Sequence, residues 1–240
     1  MGTRVGDKGL ASLKGLGKLR ELDLRYTAVS DAGLASLEGL SALEVLRLGS
    51  TKVSDSGLAR LKKLTNLAEL DLYNTKVSDK GAAELEGLRK LRTLSLADTP
   101  VTDAALGHLA KLPALRDLNL AGTKVTGKGL DALRGLAGLR DLNLERAAVT
   151  DGGLAGIEGL TRLEVLRLGG TGVTNAGLKH LRGLTNLRAL DLWKIDVKDS
   201  GLAQLRGLTR LERLVLVGAS VSDRAVASFE KSLPRVRVER

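Results

Sequence analysis

Few residues of this 240-residue sequence belong to the types that carry out enzyme chemistry. His108 and His180 are its only histidines, and they stand 72 positions apart on two separate predicted helices, so they cannot share a metal ion or act as a pair. No cysteine is present, which excludes a thiolate nucleophile and a cysteine zinc site. No serine can be matched with a histidine and an acid at plausible geometry. We therefore predict that the protein is not an enzyme and has no cofactor and no metal site.

One segment is similar to a phosphate-binding loop. Gly122–Gly129 reads GTKVTGKG, lies between a predicted strand and a predicted helix, and nearly matches G-x-x-x-x-G-K-[ST]. Its last residue is Gly129, so the hydroxyl that would hold Mg²⁺ is missing. The same turn elsewhere reads GSTKVSDS and GGTGVTNA. We therefore interpret the segment as a variant of a recurring turn, with Gly127 in place of Asp, and predict no nucleotide binding.

The elements that would position any functional side chain repeat every 24 residues. A valine recurs at this interval throughout: Val5, Val29, Val53, Val77, Val101, Val125, Val149, Val173, Val197 and Val221. A threonine stands two positions earlier in most repeats: Thr3, Thr27, Thr51, Thr75, Thr99, Thr123 and Thr171. An unbroken interval of this length predicts a solenoid of about ten stacked units, because one unit cannot bury its leucines alone.

Within a repeat the leucine spacing changes. Leu46-Arg47-Leu48 alternates as a strand with one buried face does, and the leucines of Leu34–Leu40 recur at helical spacing. The turn between strand and helix contains Ser54 and Asp55, whose oxygens we expect to cap the helix N-terminus. Glycines near the helix starts are expected where a side chain would crowd the neighbouring repeat: Gly33, Gly57, Gly81, Gly129, Gly153, Gly177 and Gly201.

These motifs resemble those of leucine-rich-repeat proteins. The pattern L-x-x-L-x-L-x-x-T-x-V-[ST]-D-x-G-L-x-x-L-x-x-L covers nearly the whole chain, and its Val-Thr-Asp-x-Gly-Leu turn is similar to that of the cysteine-containing subclass and its bacterial relatives. The resemblance implies an α/β fold: a leucine-rich-repeat solenoid shaped as a right-handed horseshoe, with a parallel sheet on the concave side and short helices on the convex side. Thr stands where that subclass usually has Cys or Asn. We expect its hydroxyl to bond to the backbone of the adjacent repeat, except at Ala147, Ile195 and Ala219.

A longer repeat overlies the short one. The segments GLSALEVLRLG and GLTRLEVLRLG begin at Gly39 and Gly159, and LTNLAELDLY and LTNLRALDLW begin at Leu64 and Leu184, so both pairs are offset by 120 residues. We infer a duplicated block of five units, residues 1–120 and 121–240, within a single leucine-rich-repeat domain that spans residues 1–240. This organisation has no linker between its halves.

The two ends of the chain differ. Residues 222–240 depart from the repeat, and an apolar face of Val226, Phe229 and Leu233 predicts a C-terminal capping segment that protects the core. The N-terminus starts inside a repeat without a comparable cap. The alternatives there are an upstream continuation, coverage by Met1, or end-to-end self-association with another chain.

The strand positions that flank the leucines are expected to point to the concave surface and to form the binding face. Arg47 lies there between Asp23 and Asp71 on adjacent strands, which predicts a cross-strand ladder of ion pairs. We interpret Arg167 beside Asp191 in the same way.

An acidic patch and two aromatic residues distinguish this face. The patch is expected to attract a cation or a basic partner, and consists of Asp117, Asn119, Asp141, Asn143 and Glu145. Tyr73 and Trp193 are expected to be exposed interface anchors; a solvated surface without a ligand is the alternative for both features. The predicted partner-binding residues are therefore Asp71, Tyr73, Asp117, Asn119, Asp141, Asn143, Glu145, Arg167, Asp191 and Trp193.

The net charge of +10 raises the expectation of anionic partners. The basic residues, however, fall into columns at the edge of the predicted sheet and late in the helices, where cations complement the helix C-terminal dipoles. The first column contains Arg92, Arg116, Arg140 and Arg188, and the second contains Lys14, Lys62, Arg134, Arg182 and Arg206. The positive charge is therefore expected along one rim rather than across the concave face.

We predict from these features a protein-protein interaction module that binds its partner on the concave face. The alternatives are binding of a polyanion, nucleic acid or an acidic surface, along the basic rim, and a structural scaffold with no specific ligand. Nucleic acid is not the expected partner, because the concave centre is acidic and aromatic side chains are scarce. The sequence shows no secretory signal and no membrane-spanning stretch, so we expect a cytoplasmic protein without membrane association.

Overall fold

A computed structural model describes residues 5–240, which form two compact units. Unit 1 ends at Asn119 and unit 2 begins at Leu120. The boundary lies one residue from the boundary between the two 120-residue blocks, whereas the single-domain organisation stays a prediction. The expectations for Met1 and Thr3 lie outside the described residues.

Unit 1 alternates short parallel strands with short helices. Its strands are β1 (Glu21–Asp23), β2 (Val45–Arg47), β3 (Glu69–Asp71), β4 (Thr93–Ser95) and β5 (Asp117–Asn119). Its α-helices are α1 (Asp7–Leu10), α2 (Asp31–Leu34), α3 (Asp55–Leu58), α4 (Asp79–Glu84) and α5 (Ala104–Leu109). The first three helices continue as 3₁₀ turns over Ala11–Leu13, Ala35–Leu37 and Ala59–Leu61.

Unit 2 repeats this arrangement. Its strands are β6 (Asp141–Asn143), β7 (Val165–Arg167), β8 (Ala189–Asp191), β9 (Arg213–Val215) and β10 (Arg237–Glu239). Its α-helices are α6 (Asp151–Leu154), α7 (Asp199–Gln204) and α8 (Asp223–Ser232), and its 3₁₀ helices are Leu130–Gly135, Ala155–Gly159, Leu178–Leu181 and Leu205–Gly207. The predicted order of strand, turn and short helix is therefore confirmed.

The strands pair in parallel and in the register that the 24-residue interval predicts. In unit 1, Leu22 faces Leu46, and Leu46 faces Leu70; in unit 2, Leu142 faces Leu166. The central leucine of each strand from β2 to β9 is buried, with an exposed fraction of at most 1%. The residues on either side of it point outward, so each strand contributes one side chain to the core and two to its outer surface.

The prediction that the threonine hydroxyls bond to the adjacent repeat is wrong. Thr75 Oγ1 donates instead to the carbonyl oxygen of Leu72, three residues earlier in its own repeat, at 2.7 Å. The same bond is made by Thr27, Thr51, Thr99, Thr123 and Thr171. Threonine hydroxyls at turns commonly donate to a backbone carbonyl a few residues earlier in the same turn, because that acceptor is close in sequence and in space.

The three repeats without threonine close the same turn with backbone alone. The N–H groups of Ala147, Ile195 and Ala219 donate to the carbonyl three residues earlier, at 3.0, 3.3 and 2.9 Å respectively. These repeats lose the hydroxyl bond, as we predicted, but they keep a hydrogen bond across the turn.

An aspartate at the start of many of the helices joins neighbouring repeats. Asp55 Oδ1 accepts the N–H of Ser78 at 2.7 Å, and Oδ2 accepts its hydroxyl at 2.6 Å. The same two bonds link Asp7 to Ser30, Asp31 to Ser54, Asp79 to Thr102, Asp151 to Thr174 and Asp199 to Ser222. We call this series the aspartate ladder.

The predicted role of these residues as helix caps is confirmed in some repeats and wrong in others. The hydroxyl oxygens of Ser78, Thr102, Thr174 and Ser222 accept an N–H from the following helix start. Ser30, Ser54 and Thr150 make no such side-chain bond. The hydroxyl hydrogen forms a charge-assisted bond to the aspartate of the preceding repeat, and the hydroxyl oxygen can still accept an N–H, as that of Ser78 does. Hydrogen bonds from Ser30 and from Ser222 hold the pKa of Asp7 and of Asp199 below the usual range.

The glycines near the helix starts leave room for this ladder, as we predicted. A methyl group added at Gly57 would lie 2.4 Å from Asp31 Oδ1, and one at Gly177 would lie 2.4 Å from Asp151 Oδ1. Gly33, Gly57, Gly81 and Gly177 therefore lie directly against the aspartate of the repeat before them.

A residue with left-handed backbone also recurs in the repeats of residues 5–240, and it was not among the features predicted from the sequence. It precedes the threonine position and has positive φ at Tyr26, Ser50, Asn74, Asp98, Gly122, Arg146, Gly170, Lys194 and Gly218. The Ser50 N–H donates to the carbonyl of Tyr73 in the next repeat at 2.7 Å, and the equivalent bond is made by Tyr26, Asn74, Gly122, Arg146, Gly170 and Lys194. Glycine at three of these positions was the available signal, but the other six residue types concealed it.

The C-terminal segment has the predicted apolar face. Val226, Phe229 and Leu233 are buried, and β10 pairs with β9 after α8. Nowhere in residues 5–240 is there a helix whose length and apolar character would let it cross a membrane.

Candidate functional site

The candidate binding surface is the strand face, which we define as the outward side chains of the strands and of the residue two positions after each strand. Arg47 is its central cation in unit 1. The prediction that Arg47 pairs with Asp23 and Asp71 is wrong. The guanidinium pairs diagonally with Glu21, and its Nε lies 2.8 Å from Glu69 Oε1.

Asp23 and Asp71 have other partners. Asp23 pairs with Arg25 of its own repeat, with Nη2 and Oδ2 2.6 Å apart, and Asp71 accepts the N–H of Tyr73 at 2.9 Å. The long arginine side chain can reach Glu21 and Glu69, which lie on the adjacent strands two residues before the opposite aspartates. The opposite residues, Asp23 and Asp71, instead accept an N–H of their own turns.

Arg167 of unit 2 follows the same diagonal rule. Its Nη1 lies 2.6 Å from Asp141 Oδ1 rather than beside Asp191, so the predicted Arg167–Asp191 ion pair is also wrong. Asp191 Oδ1 accepts the N–H of Trp193 at 3.0 Å. Burial raises the pKa of Asp191 above its usual range, and the charge of Glu145 adds to the increase. The hydrogen bond from the Trp193 N–H lowers the pKa but does not offset the effect of burial.

A short turn explains the acidic and amide residues that end many strands. The side-chain oxygens of Asp71, Asn143 and Asp191 each accept the N–H two residues later, at 2.9 to 3.0 Å. Asp and Asn favour such turns because their short side chain places an oxygen two bonds from the β-carbon, within reach of the backbone N–H two residues later. These three predicted binding residues therefore have a structural role in the turn, independent of any partner.

Trp193 is the most constrained aromatic side chain of the strand face. Its Nε1 donates to Glu145 Oε1 at 3.2 Å, two repeats earlier in the chain. A methyl group at Gly169 would lie 1.9 Å from Trp193 Cδ1, and one at Gly170 would lie 3.4 Å from Cη2. The indole therefore lies across the backbone of these glycines, half-buried rather than fully exposed as we expected.

The surroundings of Trp193 combine apolar and charged groups. Lys194 Nζ lies 5.4 Å from the centroid of the indole ring, within the range of a cation–π contact. Val217, at the equivalent position one repeat later, is an exposed valine with 46% of its surface accessible. We call Trp193, Lys194 and Val217 the tryptophan platform.

Tyr73 stands 120 positions before Trp193 but lies in a different environment. It is half-buried and lines a groove of about 340 Å³ on the strand face of unit 1. The groove is lined by Arg25, Tyr26, Arg47, Glu69, Leu70, Asp71, Tyr73, Thr93, Ser95 and Asn119. Tyr26 is 58% exposed and was not among the binding residues predicted from the sequence.

The predicted acidic patch is divided between the units. Asp117 and Asn119 belong to unit 1, whereas Asp141, Asn143 and Glu145 belong to unit 2. Four of these side chains already have a partner within their own unit: Thr93 for Asp117, Arg167 for Asp141, the Glu145 N–H for Asn143, and Trp193 for Glu145. The grouping of all five into one binding site stays a prediction.

The histidines contact glutamates rather than each other. His108 Nδ1 lies 2.6 Å from Glu86 Oε1, and His180 Nδ1 lies 2.5 Å from Glu158 Oε1. Bonds from Lys111 and then His108 lower the pKa of Glu86, and a bond from His180 lowers that of Glu158. In the part of the chain that the structure describes, no three His, Asp or Glu side chains are placed to hold a metal ion.

The turn that resembles a phosphate loop is closed by the following repeat. Gly127 has φ of +95°, and a methyl group on it would lie 2.8 Å from the Gly153 carbonyl. A methyl group on Gly153 would in turn lie 1.9 Å from the Thr126 carbonyl oxygen. The two glycines thus allow a close approach of the backbones of two successive repeats. The absence of nucleotide binding stays a prediction.

A column of residues lies immediately before the strands and forms the rim column. In unit 1 it consists of Arg20, Glu44, Ala68, Arg92 and Arg116, and in unit 2 of Arg140, Glu164, Arg188, Glu212 and Val236. Glu164 lies between two arginines, 3.5 Å from Arg140 and 3.7 Å from Arg188. Arg188 also pairs with Glu212 at 2.9 Å. Much of the predicted basic rim of unit 2 is therefore neutralised by its own glutamates.

The repeat architecture is similar to that of known proteins. A family model described as Leucine Rich repeat matches residues 18–37 and 111–133. The sequence matches none of the curated proteins.

Two solved structures from Listeria monocytogenes are similar to the chain. An internalin, inlF, is 22% identical with a TM-score of 0.63, and the match covers 95% of this chain and 76% of that one. Internalin C2 is 26% identical with a TM-score of 0.64, and the match covers 85% of this chain and 82% of that one. The likeness confirms the predicted leucine-rich-repeat solenoid, while the cysteine-containing subclass stays a resemblance.

Proposed function

Because the chain is a leucine-rich-repeat protein, we propose that it is a non-enzymatic module that binds a protein partner on its strand face. Domains of this kind are generally non-catalytic and typically mediate protein-protein interactions, which supports the proposal by analogy. The cytoplasmic location expected from the sequence remains part of this proposal.

The single observation that carries the proposal is the tryptophan platform. A half-buried indole is held flat by Glu145 and by the glycine backbone beneath it, so a partner would meet an aromatic surface already ordered before binding. Preordered aromatic side chains lose little conformational entropy on association, and tryptophan is enriched among residues that dominate interface energies. Val217 extends the apolar area, and Lys194 supplies a charge at its edge.

The groove of unit 1 supplies a second contact area of the same character. Tyr26 and Tyr73 lie there beside Arg47 and Glu69, which gives apolar area together with both signs of charge. Such a mixed composition is typical of protein interfaces, whose aromatic centre is surrounded by polar groups.

A capture experiment tests the proposal. The protein is immobilised as the parent chain, as Trp193→Ala, as Tyr73→Ala and as the control Arg224→Ala, which changes an exposed residue of α8. Proteins retained from a host lysate are compared quantitatively by mass spectrometry. We expect at least one protein to be retained by the parent and by Arg224→Ala, and to be reduced about tenfold or more by one of the aromatic substitutions.

The retained partner is then purified and titrated against the parent chain. Trp193 is the single tryptophan of the sequence, so its fluorescence reports directly on the platform. Retention of the same proteins by all four forms would contradict binding on the strand face, and retention of none would favour a structural scaffold without a ligand.

A further inference from the structure

The sequence of charges along the rim column differs between unit 1 and unit 2. Unit 2 alternates Arg140, Glu164, Arg188 and Glu212, and these side chains pair with one another. Unit 1 has Arg20 and Glu44, which pair at 3.2 Å, but its next three positions are Ala68, Arg92 and Arg116. The positions that would continue the alternation in unit 1 therefore bring two arginines together without an intervening glutamate.

Arg92 and Arg116 lie at the starts of β4 and β5, which are neighbouring parallel strands. Both side chains are exposed, and within residues 5–240 neither has a carboxylate within 4.0 Å. The adjacent Asp117 is engaged on the strand face, where its Oδ2 accepts the hydroxyl of Thr93 at 3.0 Å. Like charges on neighbouring strands repel one another, so this pair costs the free protein stability that a bound anion would restore.

A groove beside Arg92 adds further positive charge. We call it the rim groove; its volume is about 340 Å³, and it is lined by Glu44, Asn66, Ala68, Arg89, Lys90, Arg92 and Ala114. Lys90 Nζ donates to the neutral Asn66 Oδ1 at 2.7 Å, which orders the ammonium group without cancelling its charge. Glu44 is the carboxylate of the groove, and Arg20 already pairs with it.

We propose that the rim groove of unit 1, with Arg92 and Arg116, docks an acidic segment of a protein partner. Carboxylates of that segment would take the places beside these guanidinium groups that Glu164 and Glu212 take beside Arg140 and Arg188 in unit 2. The other half of the molecule thus shows the ligand class that arginines at this position accept. Planar guanidinium groups bind carboxylates in charge-assisted, often bidentate, hydrogen bonds.

A protein segment fits this surface better than a nucleic acid does. The residues that line the groove include no aromatic side chain, whereas proteins that bind single-stranded nucleic acid usually stack bases on aromatic rings. The arginines also fall on two neighbouring strands of one unit, and the rim of unit 2 is neutralised, so the positive surface is short. A backbone of regularly spaced phosphates would need a longer positive track.

Fluorescence anisotropy with a labelled ten-residue polyglutamate peptide tests the proposal on the whole chain. We expect Arg92→Ala/Arg116→Ala to weaken peptide binding by about tenfold or more. The matched control is Arg140→Ala/Arg188→Ala, which removes the same two charges from the same column of unit 2 and is expected to weaken binding less than about threefold. Equal losses for the two double variants would show that the peptide senses overall charge, and would overturn the proposal.

A second variant protects the test against a loss of folding. Ala68→Arg/Arg92→Glu rebuilds in unit 1 the arginine-glutamate alternation of unit 2, so it should keep the thermal unfolding temperature while abolishing peptide binding. Peptide binding that survives this change would contradict the proposal, as would the absence of peptide binding to the parent. A single-stranded oligonucleotide that binds the parent more tightly than the peptide at physiological salt, and is released by Arg92→Ala/Arg116→Ala, would assign the groove to nucleic acid instead. This test is independent of the strand face, so its outcome and that of the Trp193 experiment can differ.

Discussion

Trp193 donates the hydrogen of Nε1 to Oε1 of Glu145, which stands 48 positions earlier, at 3.2 Å. The indole reaches Glu145 because Gly169, on the repeat between them, has no side chain in its path. One tryptophan, one glutamate and one glycine on three successive repeats therefore define the orientation of the ring.

Gly169→Ala should displace the indole. The added methyl group would lie 1.9 Å from Cδ1 of Trp193, so the ring must rotate out and give up its bond to Glu145. We expect the tryptophan emission to move to longer wavelength, and the free energy of unfolding to fall by about 1 kcal/mol for the lost hydrogen bond. Gly49→Ala is the control at the matched position of unit 1, and it should leave the emission unchanged. An unshifted emission spectrum in Gly169→Ala would show that the ring does not rest on this glycine.

Asp55→Ala should weaken the link between two repeats. The substitution removes both acceptors of Ser78, and leaves its N–H and hydroxyl to water or unpaired. We expect the free energy of unfolding in urea to fall by roughly 1–3 kcal/mol. Asp55→Asn keeps one oxygen for the N–H and should cost less. Equal stabilities of Asp55→Ala and the parent would mean that the ladder contributes nothing to folding.

Asp191→Asn should stabilise the protein at neutral pH. Burial raises the pKa of Asp191, so its charged form is disfavoured in the folded state, and the resulting penalty is present above the raised pKa and absent below the ordinary one. Asn retains an oxygen for the Trp193 N–H without carrying the charge. Urea unfolding from pH 3 to pH 8 should show the greatest advantage of Asp191→Asn near pH 7, and none below about pH 4. An advantage that is independent of pH would refute this account.

Tyr26→Gly should relieve backbone strain. Tyr26 has φ of 58°, a left-handed conformation that costs a residue with a β-carbon about 1 kcal/mol, and its exposed ring makes this position tolerant of truncation. We expect a gain of a few tenths to about 1 kcal/mol, reduced by the greater freedom of glycine in the unfolded chain. Asn74→Gly at the equivalent position is the comparison. Asparagine tolerates this region, and Asn74 also donates to Ser50, so that variant should gain nothing. The melting temperatures of the two variants are compared with that of the parent by thermal unfolding. A lower melting temperature for Tyr26→Gly than for Asn74→Gly would contradict the strain at Tyr26.

The sequence predicts the repeat architecture well because the leucine spacing directly reports which side chains point inward. Leu46 and Leu70 face one another as the 24-residue interval requires, and Gly57 lies against the neighbouring repeat as the crowding argument demands. The pairing of the leucines and the position of the glycine both depend only on which residues of successive repeats lie side by side. The 24-residue interval determines this.

The hydrogen-bond partners were harder to predict because several acceptors lie within reach of each donor. The Thr75 hydroxyl has a carbonyl of its own turn available and uses it, and Arg47 is long enough to bypass the opposite aspartates for Glu21 and Glu69. The position of Trp193 depends on Glu145, two repeats away, and no local pattern in the sequence indicates that contact. Which acceptor a donor uses depends on the three-dimensional positions of the side chains. The 24-residue periodicity of the sequence does not specify those positions.

The aspartate ladder has a consequence for how the chain can change in length. Asp31 bonds to Ser54 and Asp55 bonds to Ser78, so each bond joins positions separated by 23 residues. Removal or insertion of a 24-residue segment within unit 1 would present each aspartate of the ladder with an equivalent serine or threonine. In unit 2 the same holds except where Lys198 takes the serine position. Loss of a single residue would instead misalign the repeat with both of its neighbours at once. The molecule can therefore be shortened or extended in whole repeats, whereas a one-residue deletion in a turn is expected to be far more damaging than the loss of an entire repeat.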